Sequence, residues 1–414
     1  MKIFWVGNAY PEALEKFFSE TEDMGQSHLS YQNLKEKIDA SYVNYFATGW
    51  CRALQNIGYE TENVVMDAIP LQQLWLKENG IYGENLSSEE ILLLQIKKYC
   101  PTIVFADDCC SAELLRCIRS EVSSIKLIVG WSGSALAKDP AKKDMFKMLD
   151  IVLCCAPESV AFLQKEGAKA VHMNHAFPVE VQALLKKSGI KHSSMLFVGS
   201  IIRGKEFHLF REKLLLGLLD ELPLDIYSPS ISITKKRLLR AALEIGLYDI
   251  TSLFPNWVAE KILSPLPYIG RICGRKERPV FPINFDLYRQ LLPPIFGLEM
   301  FDVLSNSDIV LNIHADSSPE FASNARLYEG TGVGSCLLTD SRKNMKDLFM
   351  PGKEVVTYES LHDCVEKAKW LIQHPAERKE IAEAGKRRCL KDHTYHNRAA
   401  EFDRIIRRTD QYKG

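Results

Sequence analysis

No stretch of this 414-residue sequence approaches the roughly 18 consecutive apolar residues that a membrane-crossing helix needs. Charge of one sign is not in excess either. Lysine and arginine number 52 against 53 aspartates and glutamates, a formal net charge of −1 at pH 7. So even a balance gives no global field to draw in nucleic acid, which is not expected as a partner. Low-complexity tracts and short internal repeats are absent, which excludes solenoid architectures. Cysteines at metal-ligating spacing are missing as well. The chain has an odd number of them, 11, and the adjacent pairs Cys109–Cys110 and Cys154–Cys155 lack the two-residue gap of a zinc knuckle or a redox motif. Cys154, Cys155 and Cys336 sit in apolar, strand-like runs, as buried reduced thiols do. The opening MKIFWVGNAYPEALEKF shows no secretory pattern. A cytoplasmic chain is expected.

What is present is ordinary globular composition, 46% hydrophobic and 25% charged. At roughly 100–200 residues per domain, the length implies two domains, three at most. Apolar runs recur between amphipathic stretches: KIFWVG (2–7), ENVVM (62–66), TIVFA (102–106), KLIVG (126–130), DIVLC (150–154) and AVHM (170–173). Helical periodicity fills the gaps at 42–57, stopped by Gly58, and at 87–98 and 111–122. A second series follows the polar stretch 184–192, with strands expected at 195–198, 224–227, 308–313 and 336–338 and a helix over 201–221. The proline-rich stretch 253–292 reads as an irregular insert. Strand–helix alternation implies parallel sheets, and two such domains bind ligands where their strand C-termini meet. The boundary is placed near residue 190.

The segment Ser323–Thr339, SNARLYEGTGVGSCLLT, carries the chemistry. Ser323 or Asn324 is suited to cap a short helix. The helix start offers backbone N–H groups and a positive dipole end to a diphosphate. Arg326 adds a cation. Glu329 can accept two hydrogen bonds from a sugar or ribose diol. Gly330, Gly332 and Gly334 are expected to break the helix and to let a ligand approach without Cβ clashes.

The stretch 308–340, DIVLNIHADSSPEFASNARLYEGTGVGSCLLTD, resembles the C-terminal domain of GT-B glycosyltransferases, nearest the branch of CgeB-like spore maturation proteins. The resemblance continues through DLFMPGKEVV (347–356), LIQHPAERKEIAEAG (371–385) and HTYHNR (393–398). SMLFVGSIIRGKEFHLFR (194–211) and PPIFGLEM (293–300) also resemble that domain. The resemblance implies an α/β, GT-B fold of two Rossmann-like parallel-sheet domains facing across a cleft. Residues 1–190 would bind acceptor, 191–390 the nucleotide-sugar donor, and 391–414 would form a helix crossing back. It also implies that Glu329 is the second of two glutamates eight residues apart. The first would fall at Phe321, with Glu320 one residue off, so either Glu320 shifts in or Asn324 and His314 hold the sugar.

The remaining candidates follow. Gly199, Arg203 and Lys205 lie in a strand-to-helix loop where cations neutralise phosphate, and Lys205 matches the family's phosphate lysine in spacing. Gly297 and Glu299 are expected at the base pocket. His314 follows a strand at its ligand-binding end. Asp107, Asp108 or His175 can serve as the base for an acceptor hydroxyl, with Asp108 equally suited to cap a helix. Asn8 and Trp131 are acceptor-side candidates. The expected activity is sugar transfer from a nucleotide diphosphate sugar to a glycan, protein or small-molecule acceptor. A nucleotide-sugar epimerase or a non-catalytic sugar-binding or coat-assembly protein are the alternatives. No Asp-x-Asp motif follows a strand, and a metal-independent reaction without cofactor is expected.

Overall fold

The computed structural model describes residues 1–23, 29–82, 85–107, 109–133, 142–186, 193–203, 208–255 and 277–409, with 257, 259–263, 265–266, 268–273 and 275 between the last two stretches. Asp108 and Lys205 lie outside the described residues.

Two six-stranded sheets organise the chain. The first has the order β2-β1-β3-β4-β5-β6, built from Lys2–Gly7, Glu60–Val65, Ile103–Ala106, Leu127–Ser132, Ile151–Cys154 and Ala170–His172 as β1 to β6. Its strands pair in parallel throughout. Both faces are covered, so successive residues of one strand enter different cores: Ile3 and Trp5 pack with Ile103 and Phe105, while Phe4 and Val6 pack with Val104 and Ala106. That is why these strands read as unbroken apolar runs rather than alternating ones.

The second sheet has the order β12-β11-β10-β7-β8-β9, where β7 to β12 are Ser193–Val198, Asp225–Tyr227, Leu291–Leu292, Ser307–Asn312, Cys336–Asp340 and Val356–Tyr358. Ten of the twelve strands fall on the expected runs. The two others, β9 and β12, have only two and three residues.

Contacts divide the chain into two compact units, 1–196 with 295–414, and 197–294. In the first unit, helix Tyr45–Gln55 and the last helix, Tyr395–Arg408, cover one face of the first sheet. Trp50 meets Tyr395 and Phe402 edge-on at 5.7 and 5.8 Å. A backbone bridge joins Phe177 to Thr394, with Phe177 N–H donating to the His393 carbonyl at 2.8 Å.

Two expected helices start late. The helix expected from residue 42 begins at Tyr45, because Tyr42 turns left-handed at φ 57° and Asn44 caps the new start through the Ala47 N–H. The helix expected from residue 201 begins at Leu209. Residues 201–203 form a loop instead, held by the Ser230 hydroxyl, which accepts from Ile201 N–H at 2.9 Å and donates to its carbonyl at 3.0 Å.

Candidate functional site

The described residues richest in site chemistry lie where β10 and β11 end. β10 runs into His314, and β11 ends at Asp340. The His314 ring is fully buried, with Nδ1 2.6 Å from Asp340 Oδ1. The same oxygen accepts from the His314 N–H at 3.1 Å. Arg342 holds the other carboxylate oxygen through Nε and Nη2 at 2.9 and 2.6 Å. Burial alone would raise the Asp340 pKa, but the His314 and Arg342 charges and the His314 hydrogen bonds outweigh it and hold the group at about 2. Asp340 is therefore ionised through the physiological range, and it fixes the imidazole with Nε2 turned away from it.

Nε2 of His314 is buried without a hydrogen-bond partner among the described residues, and so are the hydroxyls of Ser317 and Ser323 in the same loop. A buried polar atom left alone costs about 1–3 kcal/mol, so three in one loop are costly unless a ligand satisfies them. Neither serine was expected to be an orphan; nothing in a sequence tells a capping serine from an unpaired one.

Asn324 does not cap the following helix. Its amide donates to Asn312 Oδ1 at 3.1 Å and to the Ile313 carbonyl at 3.0 Å, tying the loop to β10. The helix therefore starts later, at Arg326–Val333, with Ala325 at its cap.

Arg326 and Glu329 sit one turn apart on that helix, paired at 2.7 Å. Glu329 is only 2% exposed. Its other oxygen accepts from the Tyr45 hydroxyl. Tyr45 opens the helix that precedes β2, and sequence spacing gave no reason to connect it with a residue 284 positions away. Burial, then the Glu329 charge, pushes the Tyr45 pKa well up, so it remains a donor.

The glycines do different work from that expected. Gly330 and Gly332 lie inside the helix and do not break it. A Cβ on Gly330 would stand 2.9 Å from Leu337 Cδ1, and one on Gly332 2.4 Å from the Phe177 ring. They admit the sheet and Phe177, not a ligand. Only Gly334, at φ 95°, ends the helix.

Two carboxylates lie near Phe321. Glu320 faces outward and pairs with Lys343 at 2.9 Å. The carboxylate beside this loop is Glu158, from helix Pro157–Lys165 after β5. It accepts from the N–H groups of Glu320 and Phe321 at 3.1 Å each and from the Ser318 hydroxyl at 3.1 Å.

The other candidates are placed as follows. Gly297 has φ 56°, and its added Cβ would lie 2.3 Å from the Ser41 carbonyl, so it permits close backbone approach rather than shaping a base pocket. Glu299 pairs with Lys16 at 2.5 Å near the surface. Trp131 is buried beside Phe46 and His175, at 5.0 Å from each, and offers no face to a sugar. Asn8 is exposed at the end of β1. Asp107 follows β3, its N–H donating to the Val6 carbonyl at 3.1 Å. In the second unit, Arg203 donates to the carbonyls of Phe281 and Ile283 at 2.9 Å and pairs with Glu212 at 2.8 Å. It is a loop anchor, not a free cation. Gly199 N–H donates to the Tyr227 carbonyl at 3.0 Å.

Burial, aided by the Arg398 charge, lowers the His175 pKa to about 4. It is neutral at pH 7, but that basicity suits an acceptor base poorly. Burial first also lowers His393 to about 4 and His208 to about 3. All three hold protons more weakly when folded, so below their ordinary value of 6.5 the unfolded chain binds more protons. Stability is thus full above pH 6.5 and lost as pH falls toward 4. Unfolding free energies from urea titrations should decline steadily from pH 7 to 5, by about 1–2 kcal/mol for each histidine.

With this geometry in place, comparison with known proteins is informative. Residues 266–404 match a family described as glycosyl transferase-like. No curated protein sequence matches. Among solved structures, sucrose-phosphate synthase from Thermosynechococcus elongatus superposes with a TM-score of 0.54 at 10% identity, covering 98% of both chains. The chain has the GT-B fold. A glycosyltransferase from Rickettsia africae superposes at 0.52 with 11% identity, over 98% of this chain and 97% of the other. Anabaena HepE, solved with UDP and glucose, superposes at 0.50 with 10% identity, over 98% and 99%. At such identities the structures speak for the fold alone. No helix among the described residues is long and apolar enough to cross a membrane.

Proposed function

We propose that this chain is a glycosyltransferase that takes its sugar from a nucleoside diphosphate sugar bound at the ends of β10 and β11, and that it works in the cytoplasm without a bound metal, as a relative of the CgeB-like branch. The observation that carries the reading is the set of buried, unpartnered polar atoms on His314, Ser317 and Ser323. They lie in the loop between Asp340-held His314 and the helix bearing Arg326 and Glu329. Phosphate oxygens and sugar hydroxyls are the partners such atoms need. Arg326 supplies positive charge for a diphosphate, and Glu329 an acceptor for a ribose diol. HepE, of the same fold, binds UDP, which makes UDP the first nucleotide to try.

In this reading His314 and Asn324 take the place of the first glutamate beside the donor sugar, since Glu320 points away. The chain's contribution to rate is alignment of the reactants and stabilisation of the departing diphosphate. The acceptor, of glycan, protein or small-molecule type, would enter from the first sheet, near Asn8 and Asp107.

Thermal unfolding against a panel of nucleoside diphosphates and their sugars tests the donor site. At least one should raise the midpoint, because a ligand confined to the native state stabilises it by mass action. His314→Ala should remove that rise, and a panel without any effect would end the reading. Turnover should persist in excess chelator; loss that Mn²⁺ restores would reverse the metal-free proposal.

A further inference from the structure

Eleven of the 21 large apolar side chains exposed among the described residues lie between positions 239 and 285. Three of them form a stripe on helix Lys235–Thr251. Leu239, Leu243 and Ile250 recur at i, i+4 and i+11 and are 63%, 55% and 56% exposed. Leu253, at 83%, and Trp257, at 60%, continue the apolar surface beyond the helix end. Thr251 is the only described residue of this helix that is buried, so the apolar stripe does not serve a core.

Charge singles out the same stretch independently. Positions 235–278 hold nine lysines and arginines against four acidic residues, a surplus of five positive charges in a chain whose total is −1. Lys235, Lys236 and Arg237 occupy the first turn and are exposed. Cations there oppose the helix dipole and weaken the helix, so the fold gains nothing from them. Lys236 stands one turn ahead of the stripe residue Leu239 and flanks the apolar face with positive charge, while Arg240, one turn ahead of Leu243, pairs with Glu244 at 3.0 Å.

We infer that this stretch lies on an anionic lipid surface. The stripe enters the boundary between headgroups and acyl chains, Trp257 sits at that boundary, and the first-turn cations meet headgroup phosphates. Pairing with a second copy fits less well. A two-fold contact sets each patch against itself, so the surplus positive charges would face one another. The attachment is peripheral, since no described helix can span the bilayer.

The test is co-sedimentation of the full chain with vesicles, without donor or acceptor, so its outcome is independent of the nucleotide-sugar reading. With about 30% phosphatidylglycerol at about 0.1 M salt, binding should exceed that to pure phosphatidylcholine at least tenfold, and high salt should abolish it. Leu243→Glu with Leu253→Glu, and separately Lys235→Glu with Lys236→Glu and Arg237→Glu, should each lower binding at least tenfold. These side chains are exposed, and unchanged circular dichroism and melting will show that the variants fold. Equal binding to both vesicle types, wild-type binding by either variant, or a dimer that Leu243→Glu dissociates with no vesicle binding would each overturn the inference.

Discussion

Exchanging Glu329 for alanine is expected to cost on the order of a hundredfold or more in nucleoside diphosphate affinity. Hydrogen bonds to a charged group contribute about 1.5–3 kcal/mol each, and a ribose diol makes two. Even the low end, about 3 kcal/mol, is more than two decades in dissociation constant. The carboxylate is 2% exposed and already engages Arg326 and Tyr45, so alanine also strands a guanidinium and lowers stability. Glu329→Gln keeps the shape and still accepts from Tyr45, and should lose affinity with less loss of fold. Tyr45→Phe frees one carboxylate oxygen and should leave binding equal or tighter. Titration calorimetry with UDP on the three variants separates these contributions. Unchanged affinity in Glu329→Ala would remove the ribose contact from the proposal.

The second large effect is one of sign. Helix propensity alone would make Gly332→Ala stabilising by about 1 kcal/mol. The structure requires the reverse. The added Cβ lies 2.4 Å from two ring carbons of Phe177. That ring cannot swing aside: Phe177 is fully buried, its N–H donates to the His393 carbonyl, and its carbonyl accepts from Tyr395. Overpacking of this kind costs about 1–3 kcal/mol, and valine should cost more than alanine. Chemical denaturation decides the matter, and a stabilised Gly332→Ala would contradict the packing described.

These two residues show where sequence reasoning carried and where it did not. The strands were legible because burial on both faces leaves an apolar run in the residues themselves. Glu329 was legible as a carboxylate on a short helix because its neighbours in sequence are its neighbours in space. Gly332 was misread because a glycine that opens a turn and one that admits a neighbouring ring look the same in sequence, and the ring here comes from position 177. The helix start was misplaced because the Asn324 amide is drawn to Asn312 and Ile313, a competition invisible without the sheet. Glu158 and Tyr45 were missed outright. Each sits in a helix that reads as scaffold, and acts on residues more than 150 positions away.

Glu158 has a consequence for the loop after β10. A single carboxylate on the first sheet's side receives two N–H groups and one hydroxyl from the loop that follows β10. Without that carboxylate the two N–H groups would lose their partner, while the Ser318 hydroxyl keeps the Phe321 carbonyl at 3.0 Å within its own loop. Glu158 thus ties the shape of this loop to the helix after β5.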